Sequence, residues 1–438
     1  MYVSLRQVPP APEAGSAGSG TDPGGRTGGS GDPAAPTGRR VAPVVVTLGL
    51  VSLLTDVSSE SVAAILPLYL TVGLGVSTLA YGFIDALYQG VSALVRIAGG
   101  WGADRSGHPK WVALVGYALS CAARVGFLLA TGVGAIAAVV AADRVGKGIR
   151  SAPRDAIISA ATAPQHTAYA FGVHRSLDTV GAVIGPVLAF AILWWIPDGY
   201  LTVMVVSLGF ALLGVVLLGL FVEDRPASAG TSRPAAVRPV AGRPRWRDLA
   251  APGMVRLLVV AGVLGLLSVG DGFVYLALLE RGGFAAHWFP LLYVGTSVAY
   301  LLLAMPLGRV ADRCGRARTM VLGHVALLAA YVAAAAPLPP APGTLVALAL
   351  LGLFYAATDG VLAAIAGRVV APALRASGIA SAQTVVALAR MAASAGFGLL
   401  WFWVGPGAAL LLVAAALAVV VVPALVLLAP LDRAEATP

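Results

Sequence analysis

The strongest constraint on the fold is a series of apolar runs, each about 20 residues long or longer. A helix needs about 20 apolar residues to cross the hydrocarbon core of a bilayer, whereas a transmembrane strand needs about ten residues of alternating polarity. The runs are continuous, which favours helices. The sequence predicts an all-α membrane protein with twelve transmembrane helices, at 43–70, 78–100, 110–131, 133–152, 168–195, 200–222, 254–280, 286–307, 318–337, 343–366, 377–402 and 405–430.

Composition agrees with lipid as the main solvent of this chain. Of the 438 residues, 58% are hydrophobic and 11% are charged, and the mean hydropathy is +0.87. A soluble chain is about 45–50% apolar and about 25% charged. These values exclude a water-soluble enzyme of this length and a disordered chain. The two cysteines, Cys121 and Cys314, make no disulfide framework.

The distribution of arginine and lysine indicates which side of the membrane each loop occupies. If the N-terminus lies inside, the inner segments hold almost all of the loop arginines and lysines, and the outer loops hold only Arg281. Cytoplasmic loops carry an excess of basic residues, so we expect both termini in the cytoplasm and the protein in the plasma membrane. Short basic loops also account for the net charge of +9 and argue against a nucleic-acid partner.

The division of the chain follows from the same runs. Residues 1–41 are rich in Gly, Pro, Ala and Ser and lack an apolar core, so we expect a disordered cytoplasmic tail. The remaining chain divides into a six-helix half at 42–222, a Pro- and Arg-rich cytoplasmic linker at 223–253, a second six-helix half at 254–430 and a cytoplasmic tail at 431–438.

A loop motif, G-x-x-x-D-R-x-G-x-x-[KR], follows both the second and the eighth predicted helix. Its copies at 100–110 and 308–318 are 208 residues apart, and Pro164 and Pro372 keep that offset. Such repetition implies parallel repeats about an axis along the membrane normal. We expect the motif residues to form gating loops, although a tight basic loop without that role is the alternative. They are Gly100, Asp104, Arg105, Gly107, Lys110, Gly308, Asp312, Arg313, Gly315 and Arg316.

The aspartate of each copy has two expected roles. It can cap the N-terminus of a neighbouring helix, or it can pair with an arginine across its half. Contacts that form in one state and break in another would make the loop a latch for a gate.

The repeated motif resembles that of the major facilitator superfamily of secondary transporters, and the resemblance covers about residues 42–430. Arg144 to Gly148 resembles the family's R-x-x-Q-G motif with Lys147 in place of Gln; in proton-driven members this arginine is associated with coupling. Gly181, Gly185 and Pro186 resemble the G-x-x-x-G-P motif of drug:proton antiporters without its closing glycine pair. These three residues are expected to form a helix hinge or a plain packing contact. The string 143–155 resembles a poorly characterised bacterial branch.

Ionisable residues inside the predicted helices are costly in lipid and usually face a cavity or a partner. Asp56 and Glu60 are four residues apart, so they share one face of the first helix. They lie near mid-membrane in a polar stretch that should line a central cavity. Burial and mutual repulsion both disfavour the ionised form, as proton coupling requires. We therefore expect coupling or substrate contact there, with structural pairing to arginines as the alternative.

Other charges extend this candidate cavity. Arg144 lies near the middle of its helix and needs a carboxylate, for which Asp56, Glu60 and Asp178 are candidates. Arg124 should also pair with a nearby acid. Asp85 and Gln89 belong to a polar stripe, and Arg175 can pair with Asp178 three residues later. The full predicted set for coupling and substrate contact is Asp56, Glu60, Asp85, Gln89, Arg144, Arg175, Asp178, Asp271, Asp359 and Arg390.

Two of these acids directly precede a glycine inside a predicted helix. Asp271-Gly272 and Asp359-Gly360 suggest broken or cavity-lining helices. We expect Arg390 to be the partner of one of these acids.

The sequence holds no pattern for most other chemistries. It has no phosphate-cradling loop for ATP, no Cys/His set with metal spacing and no nucleophilic triad. We therefore expect no enzyme activity, no cofactor and no metal site. The favoured hypothesis is proton-coupled export of a small solute; an importer or uniporter of the same fold, and a non-transporting membrane sensor, are the alternatives. The expected partners are a small-molecule substrate, protons and the lipid bilayer, and we expect a monomer.

Overall fold

The computed structural model describes residues 42–162, 166–224, 251–371 and 374–436. The predicted tail at 1–41, most of the predicted linker, Pro164 and Pro372 lie outside these residues. Within them the chain forms thirteen α-helices: α1 (Pro43–Leu68), α2 (Thr78–Ser106), α3 (Pro109–Leu129), α4 (Val133–Ala160), α5 (Thr167–Trp195), α6 (Tyr200–Phe221), α7 (Pro252–Leu266), α8 (Asp271–Gly282), α9 (Phe289–Cys314), α10 (Arg316–Ala335), α11 (Pro340–Val369), α12 (Arg375–Val404) and α13 (Pro406–Ala436).

The helices form twelve spans, because α7 and α8 lie in one apolar segment, Pro252–Gly282. A π-helical turn, Tyr69–Gly73, continues α1, and a 3-10 turn, Ala286–Trp288, leads into α9. Ten segments of the described chain are long and apolar enough to cross a membrane. The other two spans, α2 and α4, carry polar and charged side chains along their length. The predicted all-α fold of twelve spans is confirmed.

Proline and glycine mark many of the helix ends. Proline is the first residue of five helices, where its missing N–H costs nothing and its fixed φ suits the helix: Pro43, Pro109, Pro252, Pro340 and Pro406. Gly107 ends α2 with φ +67°, and Gly315 stands between α9 and α10 with φ +101°. A glycine adopts such values without the steric cost of a Cβ. The sharp turns after α2 and α9 therefore depend on these two positions.

The two halves repeat the same helix order. The second span, Thr78–Ser106, and the eighth, Ala286–Cys314, are 208 residues apart at both ends. The packing repeats as well: α1 packs on α5 and α6 as α7 packs on α12 and α13, and α3 packs on α4 as α10 packs on α11. The chain is therefore built from two pseudo-symmetric halves of six spans each.

The two ends of the helix bundle differ in character. We call the end where α1 begins and α13 ends the terminal face; it also carries the two motif loops. The other end is the opposite face. Close contacts between the halves lie near the opposite face, where Gly82 of α2 meets Gly398 of α12. A Cβ built on Gly82 would be 2.8 Å from the Cα of Gly398. The two backbones are therefore too close there for a side chain at either glycine.

Aromatic rings extend this closure across the opposite face. Phe273 of α8 packs against Tyr81 of α2, with ring centroids 4.7 Å apart, and against Phe397 of α12 at 5.0 Å. Trp288, next to α9, lies 5.4 Å from Phe190 and 5.9 Å from Trp194 of α5. The halves are thus sealed together at the opposite face.

Candidate functional site

A cavity of about 430 Å³ lies between the two halves. Its exposed lining residues include Asp359, Gly360 and Gln383, which belong to the parts of α11 and α12 nearer the terminal face. The cavity therefore opens toward the terminal face. Four predicted residues line it: Gln89, Arg175, Asp359 and Arg390. A smaller cavity of about 190 Å³ shares Asp359 and Tyr300 with the first and is also lined by Asp271.

The two acids of α1 face cations of α4. The Glu60 carboxylate lies 3.6 Å from the Lys147 Nζ, and the Asp56 carboxylate lies 3.9 Å from the nearest Arg150 nitrogen. Helices α1 and α4 run antiparallel. The later acid of α1, Glu60, therefore faces the earlier cation of α4, Lys147, and the earlier acid faces the later cation. The Arg150 guanidinium also lies over the ring of Tyr117, 4.5 Å from its centroid. The prediction that Asp56 and Glu60 share one helix face holds, and both have basic neighbours.

Arg144 has a different partner from the three predicted ones. Its Nε donates to the Asp143 carboxylate over 3.1 Å, and Arg124 donates to the same carboxylate over 3.0 Å. All three side chains are buried. The guanidinium of Arg144 also lies 3.9 Å from the ring centroid of Tyr88. The expectation for Arg124 is therefore confirmed, whereas the candidates named for Arg144 are wrong.

Sequence reasoning missed Asp143 because consecutive helical residues do not face each other. The long Arg144 side chain bends back to reach its neighbour, which the 3.6-residue period does not anticipate. The sequence signal that could have indicated Asp143 was the pair of arginines inside the membrane-embedded helices. Arg124 and Arg144 both needed an acid at the same depth, and Asp143 lies in the membrane-embedded part of α4.

A second charge cluster lies nearer the terminal face. Arg154 donates to Asp155 over 3.0 Å and lies 3.9 Å from Asp178, and Arg175 lies 3.7 Å from Asp178. The predicted pairing of Arg175 with Asp178 is confirmed. Arg154 also donates to the hydroxyl of Ser52 in α1 over 3.2 Å. This cluster therefore ties α4 and α5 to α1.

The glycines of α5 make close contact with α1. A Cβ on Gly181 would lie 2.5 Å from the carbonyl oxygen of Leu53, and one on Gly185 would lie 2.8 Å from the amide nitrogen of Ser61. Small residues allow membrane helices to approach closely. The packing alternative for Gly181, Gly185 and Pro186 is therefore observed, and α5 continues past Pro186 to Trp195.

The break between α7 and α8 comes directly before Asp271, as the acid–glycine pair predicts. At the break, the Val269 amide donates to the Tyr331 hydroxyl over 2.7 Å, and that hydroxyl donates to the Leu267 carbonyl over 3.2 Å. Backbone groups freed inside a membrane need such partners. Asp271 accepts a hydrogen bond of 2.8 Å from the Tyr355 hydroxyl. The Tyr331 hydroxyl thus bonds to the free backbone groups at the break, and the Tyr355 hydroxyl donates to Asp271.

Two further predicted acids, Asp85 and Asp359, lie in different halves and have different surroundings. Asp85 of α2 accepts a hydrogen bond of 2.6 Å from Ser394 of α12, so it lies where the halves are sealed. Asp359 is exposed and lines both cavities. In contrast to Asp271, the other acid that precedes a glycine, Asp359 lies within a continuous helix, α11.

Asp359 and Asp271 both act electrostatically on Arg390, but the expected pairing with one of them is not a direct ion pair. Among the described residues no carboxylate lies within ion-pair distance of it. Its guanidinium instead lies over the rings of Phe354 and Tyr355, 5.8 and 5.5 Å from their centroids. Its Nε is buried and has no hydrogen-bond partner in the described part of the chain. Tyr355 therefore contacts both groups, because its hydroxyl donates to Asp271 and the Arg390 guanidinium lies over its ring.

The first motif loop is held by the end of α6. The Lys110 Nζ donates to the Gly219 carbonyl over 3.0 Å, and the His108 Nδ1 donates to the Asp224 carboxylate over 2.7 Å. Gly100 and Arg105 lie in the last two turns of α2. The side chain of Asp104 lies outside the described side chains, so its expected capping role is untested.

The second motif loop is held by the end of α13. The Asp432 carboxylate accepts hydrogen bonds of 2.9 Å from the amides of Ala317 and Arg318, at the start of α10. Asp312, expected as a cap or as a partner across the half, instead accepts from Arg316 one turn later over 3.1 Å. The remaining motif residues, Gly308 and Arg313, lie in the last two turns of α9. Asp432 is 208 residues after Asp224, so in each half an aspartate at or just after the end of the last helix holds the motif loop. We call each of these two contacts a clamp.

We expect the replacement Asp432→Ala to destabilise the protein by about 0.5–2 kcal/mol, the usual cost of losing a helix N-cap. The variant leaves two amides at the start of α10 without an acceptor. Thermal unfolding in detergent measures the change, with Glu280→Ala as a control because Glu280 is an exposed acid near the opposite face. Equal unfolding temperatures for the two variants would contradict the assignment.

Comparison with known proteins connects this arrangement to a family. The model of the Major Facilitator Superfamily matches residues 48–293 and 283–438. An uncharacterized MFS-type transporter of Methanocaldococcus jannaschii is 27% identical over 376 residues, which cover 83% of this chain and 89% of the relative. An uncharacterized protein of Mycobacterium tuberculosis strain H37Rv is 30% identical over 364 residues, which cover 82% of this chain and 86% of the relative.

Solved structures share the fold at low sequence identity. The crystal structure of the nucleoside transporter NupG matches with a TM-score of 0.72 and 14% identity, over 88% of this chain and 99% of that one. A point mutant of the peptide transporter POT matches with a TM-score of 0.74 and 16% identity, over 89% of this chain and 95% of that one. Fold, repeat and family model agree: the chain belongs to the Major Facilitator Superfamily and is a membrane transporter.

Proposed function

We propose that the protein exports a small solute across the plasma membrane in exchange for protons, by alternating access of one central site. The terminal face, which carries the basic loops, would then be cytoplasmic, with both termini on that side. The central cavity lies between two halves of the same fold, which suits halves that tilt around a fixed site. Because one chain encloses the cavity, we propose a monomer as the functional unit.

The observation that carries proton coupling is the pair of loose ion pairs between α1 and α4. The distances of 3.6 Å for Glu60–Lys147 and 3.9 Å for Asp56–Arg150 exceed ordinary hydrogen-bond length. The side chains of Glu60 and Lys147 are 28% and 34% exposed, so neither is fully sealed inside the bundle. A proton on Glu60 would neutralise its charge and release Lys147, and its loss would restore the pair. Protonation would thereby alter how α1 holds α4.

Export is favoured over import by the two partial motifs of antiporters, at 144–148 and 181–186. In an exchange cycle, the acid releases its proton to the cytoplasm before the solute leaves. The loose pairs suit such a cycle because Lys147 and Arg150 stabilise the deprotonated acids once the protons have gone. Import or uniport would use the same fold without this order of steps.

We expect Glu60→Gln and Asp56→Asn to abolish proton-coupled transport. Neither replacement can bind and release a proton, although both keep nearly the same shape. Everted membrane vesicles with a proton gradient, reported by a quenched acridine dye, measure the effect. Adding the low-molecular-weight fraction of a cell extract should release the quenching in vesicles with the unaltered protein. The same addition should leave the quenching unchanged in vesicles that carry either variant.

Glu280→Gln is the control, because Glu280 is an exposed acid on α8 near the opposite face, away from both charge clusters. This variant should behave as the unaltered protein does. Release of quenching by both α1 variants at the full rate would disprove the choice of residues. Unaltered protein that moves solute without any change in quenching would disprove coupling, and uptake by right-side-out vesicles would indicate import instead.

A further inference from the structure

Three cations of the first half have acidic partners. Lys147 lies beside Glu60, Arg150 beside Asp56, and Arg175 beside Asp178. Each of these pairs is close to neutral. The second half contributes a different set of charges, in which opposite signs are present and are not paired with each other.

Arg390 is the cation of this second set. Its guanidinium rests on the faces of Phe354 and Tyr355, and its side chain lines the larger cavity. A guanidinium stacked on a ring keeps its N–H groups directed along its plane, where they match a carboxylate with two bonds. The buried Nε without a hydrogen-bond partner in the described chain is one of these groups. Within the part of the chain that the structure describes, Arg390 therefore has no hydrogen-bond acceptor.

Asp359 is the available acid. It is exposed in both cavities, and in the described part of the chain no hydrogen bond or ion pair engages its carboxylate. Asp271 is not equivalent, since the Tyr355 hydroxyl already donates to it over 2.8 Å. The same cavity thus presents an acid and a cation that attract each other electrostatically but lie beyond ion-pair distance in the described chain.

The rest of the larger cavity limits the body of an occupant. Its apolar lining includes Met320, Phe354, Leu362 and Val386. Its volume of about 430 Å³ lies toward the lower end of the range of about 300–1,000 Å³ for small-molecule sites. An occupant would therefore be small, with an apolar part next to its charged groups.

We propose that this cavity selects a small zwitterion, with a carboxylate on Arg390, an ammonium group on Asp359 and an apolar side group on the wall. This inference rests on the proposed transport of a solute through the same cavity, but it requires neither export nor proton coupling. An anion alone would give Arg390 an acceptor but would be repelled by Asp359 and Asp271. A cation alone would satisfy Asp359 and leave Arg390 without an acceptor. A zwitterion meets both requirements at once.

The test uses matched sets of compounds that share an apolar body and differ only in charge. Each set joins a zwitterion to its acid and its amine: alanine with propionate and ethylamine, leucine with isocaproate and isoamylamine, and phenylalanine with hydrocinnamate and phenethylamine. Thermal unfolding of the purified full chain in detergent, at increasing ligand concentration, gives an apparent dissociation constant. In at least one set we expect the zwitterion to bind about tenfold or more tightly than both relatives, as one extra charged contact would allow.

Variants then assign the two charges. Arg390→Gln should lower zwitterion affinity to that of the matched amine, and Asp359→Asn should lower it to that of the matched acid. Arg390→Lys keeps the positive charge and should retain part of the preference, which separates loss of charge from loss of fold. Arg256→Gln is the control for the first variant, since Arg256 is exposed on α7.

The proposal is overturned if acids or amines alone bind as tightly as their zwitterions, if no zwitterion binds in any set, or if Arg390→Gln leaves the preference unchanged. Binding in detergent depends neither on a proton gradient nor on the direction of transport. Zwitterion binding without proton-coupled flux would therefore disprove the proposed coupling and keep this inference. Proton-coupled flux of a singly charged solute would do the reverse.

Discussion

Replacing Asp143 with Asn is expected to destabilise the protein more than any other single change considered for these helices. The replacement leaves Arg124 and Arg144 as two buried guanidinium groups with no carboxylate between them. Removing one partner of a buried ion pair typically costs about 3–5 kcal/mol. Little folded protein should therefore reach the membrane, and the remainder should unfold at a lower temperature. Size-exclusion chromatography after heating measures both effects.

A triple replacement separates the lost charge from the lost volume. Arg124→Met, Asp143→Leu and Arg144→Met together remove the buried charges, and apolar substitutes of similar volume are often neutral or stabilising. We expect the triple variant to be more stable than Asp143→Asn alone. The surface acid variant Glu280→Gln should unfold as the unaltered protein does. If Asp143→Asn and Glu280→Gln unfold at the same temperature, Asp143 does not hold the two arginines as described.

Gly82→Val is expected to prevent closure of the opposite face and to reduce transport about tenfold or more. A Cβ at Gly82 would overlap the backbone of α12, at 2.8 Å from the Gly398 Cα and from the Ser394 carbonyl oxygen. The two helices would have to separate, which disfavours the state that is open at the terminal face. A shift of about 1.4 kcal/mol between two states already changes their ratio tenfold, and a backbone overlap should exceed that.

The measurement is labelling of a cysteine in the cavity from the terminal face. Gln383→Cys, in a chain with Cys121→Ser and Cys314→Ser, places a thiol on the exposed lining. A membrane-impermeant maleimide added at the terminal face should label it rapidly, and Gly82→Val should slow that labelling.

Gly396→Val is the matched control for this prediction. Gly396 lies on the same helix as Gly398, and an added Cβ there meets no atom within 4 Å. Its labelling and transport should stay unchanged, which separates closure of the face from general damage to α12. Unaltered labelling and transport in Gly82→Val would show that the glycine contact does not govern closure.

The helical framework follows from the sequence because the bilayer fixes the length of a span. The predicted runs match the helices, and the break before Asp271 follows from an acid and a glycine placed together inside an apolar run. The repeat was visible in the loop motif, whose offset of 208 residues is kept by α2 and the eighth span. These features are local or periodic, so a single sequence contains them.

The partners of the charged groups were less accessible to sequence reasoning. Arg124 bonds to Asp143, 19 residues later in the sequence, and Ala317 bonds to Asp432, 115 residues later. Neither separation in sequence follows from the period of a helix. Arg390 rests on aromatic rings, a contact that needs the relative rotation of two helices. Helix period gives the face of a residue, but the identity of its partner depends on how the helices pack.

The repeated clamp at the motif loops has a mechanical consequence. Asp224, after α6, holds the loop that follows α2, and Asp432, at the end of α13, holds the start of α10. Each half is thereby tied from its last helix back to its second loop. Such ties resist shear inside a half, so we expect the motion that a transporter needs to occur at the boundary between the two halves. Domain motion should therefore leave the internal distances of each half almost constant.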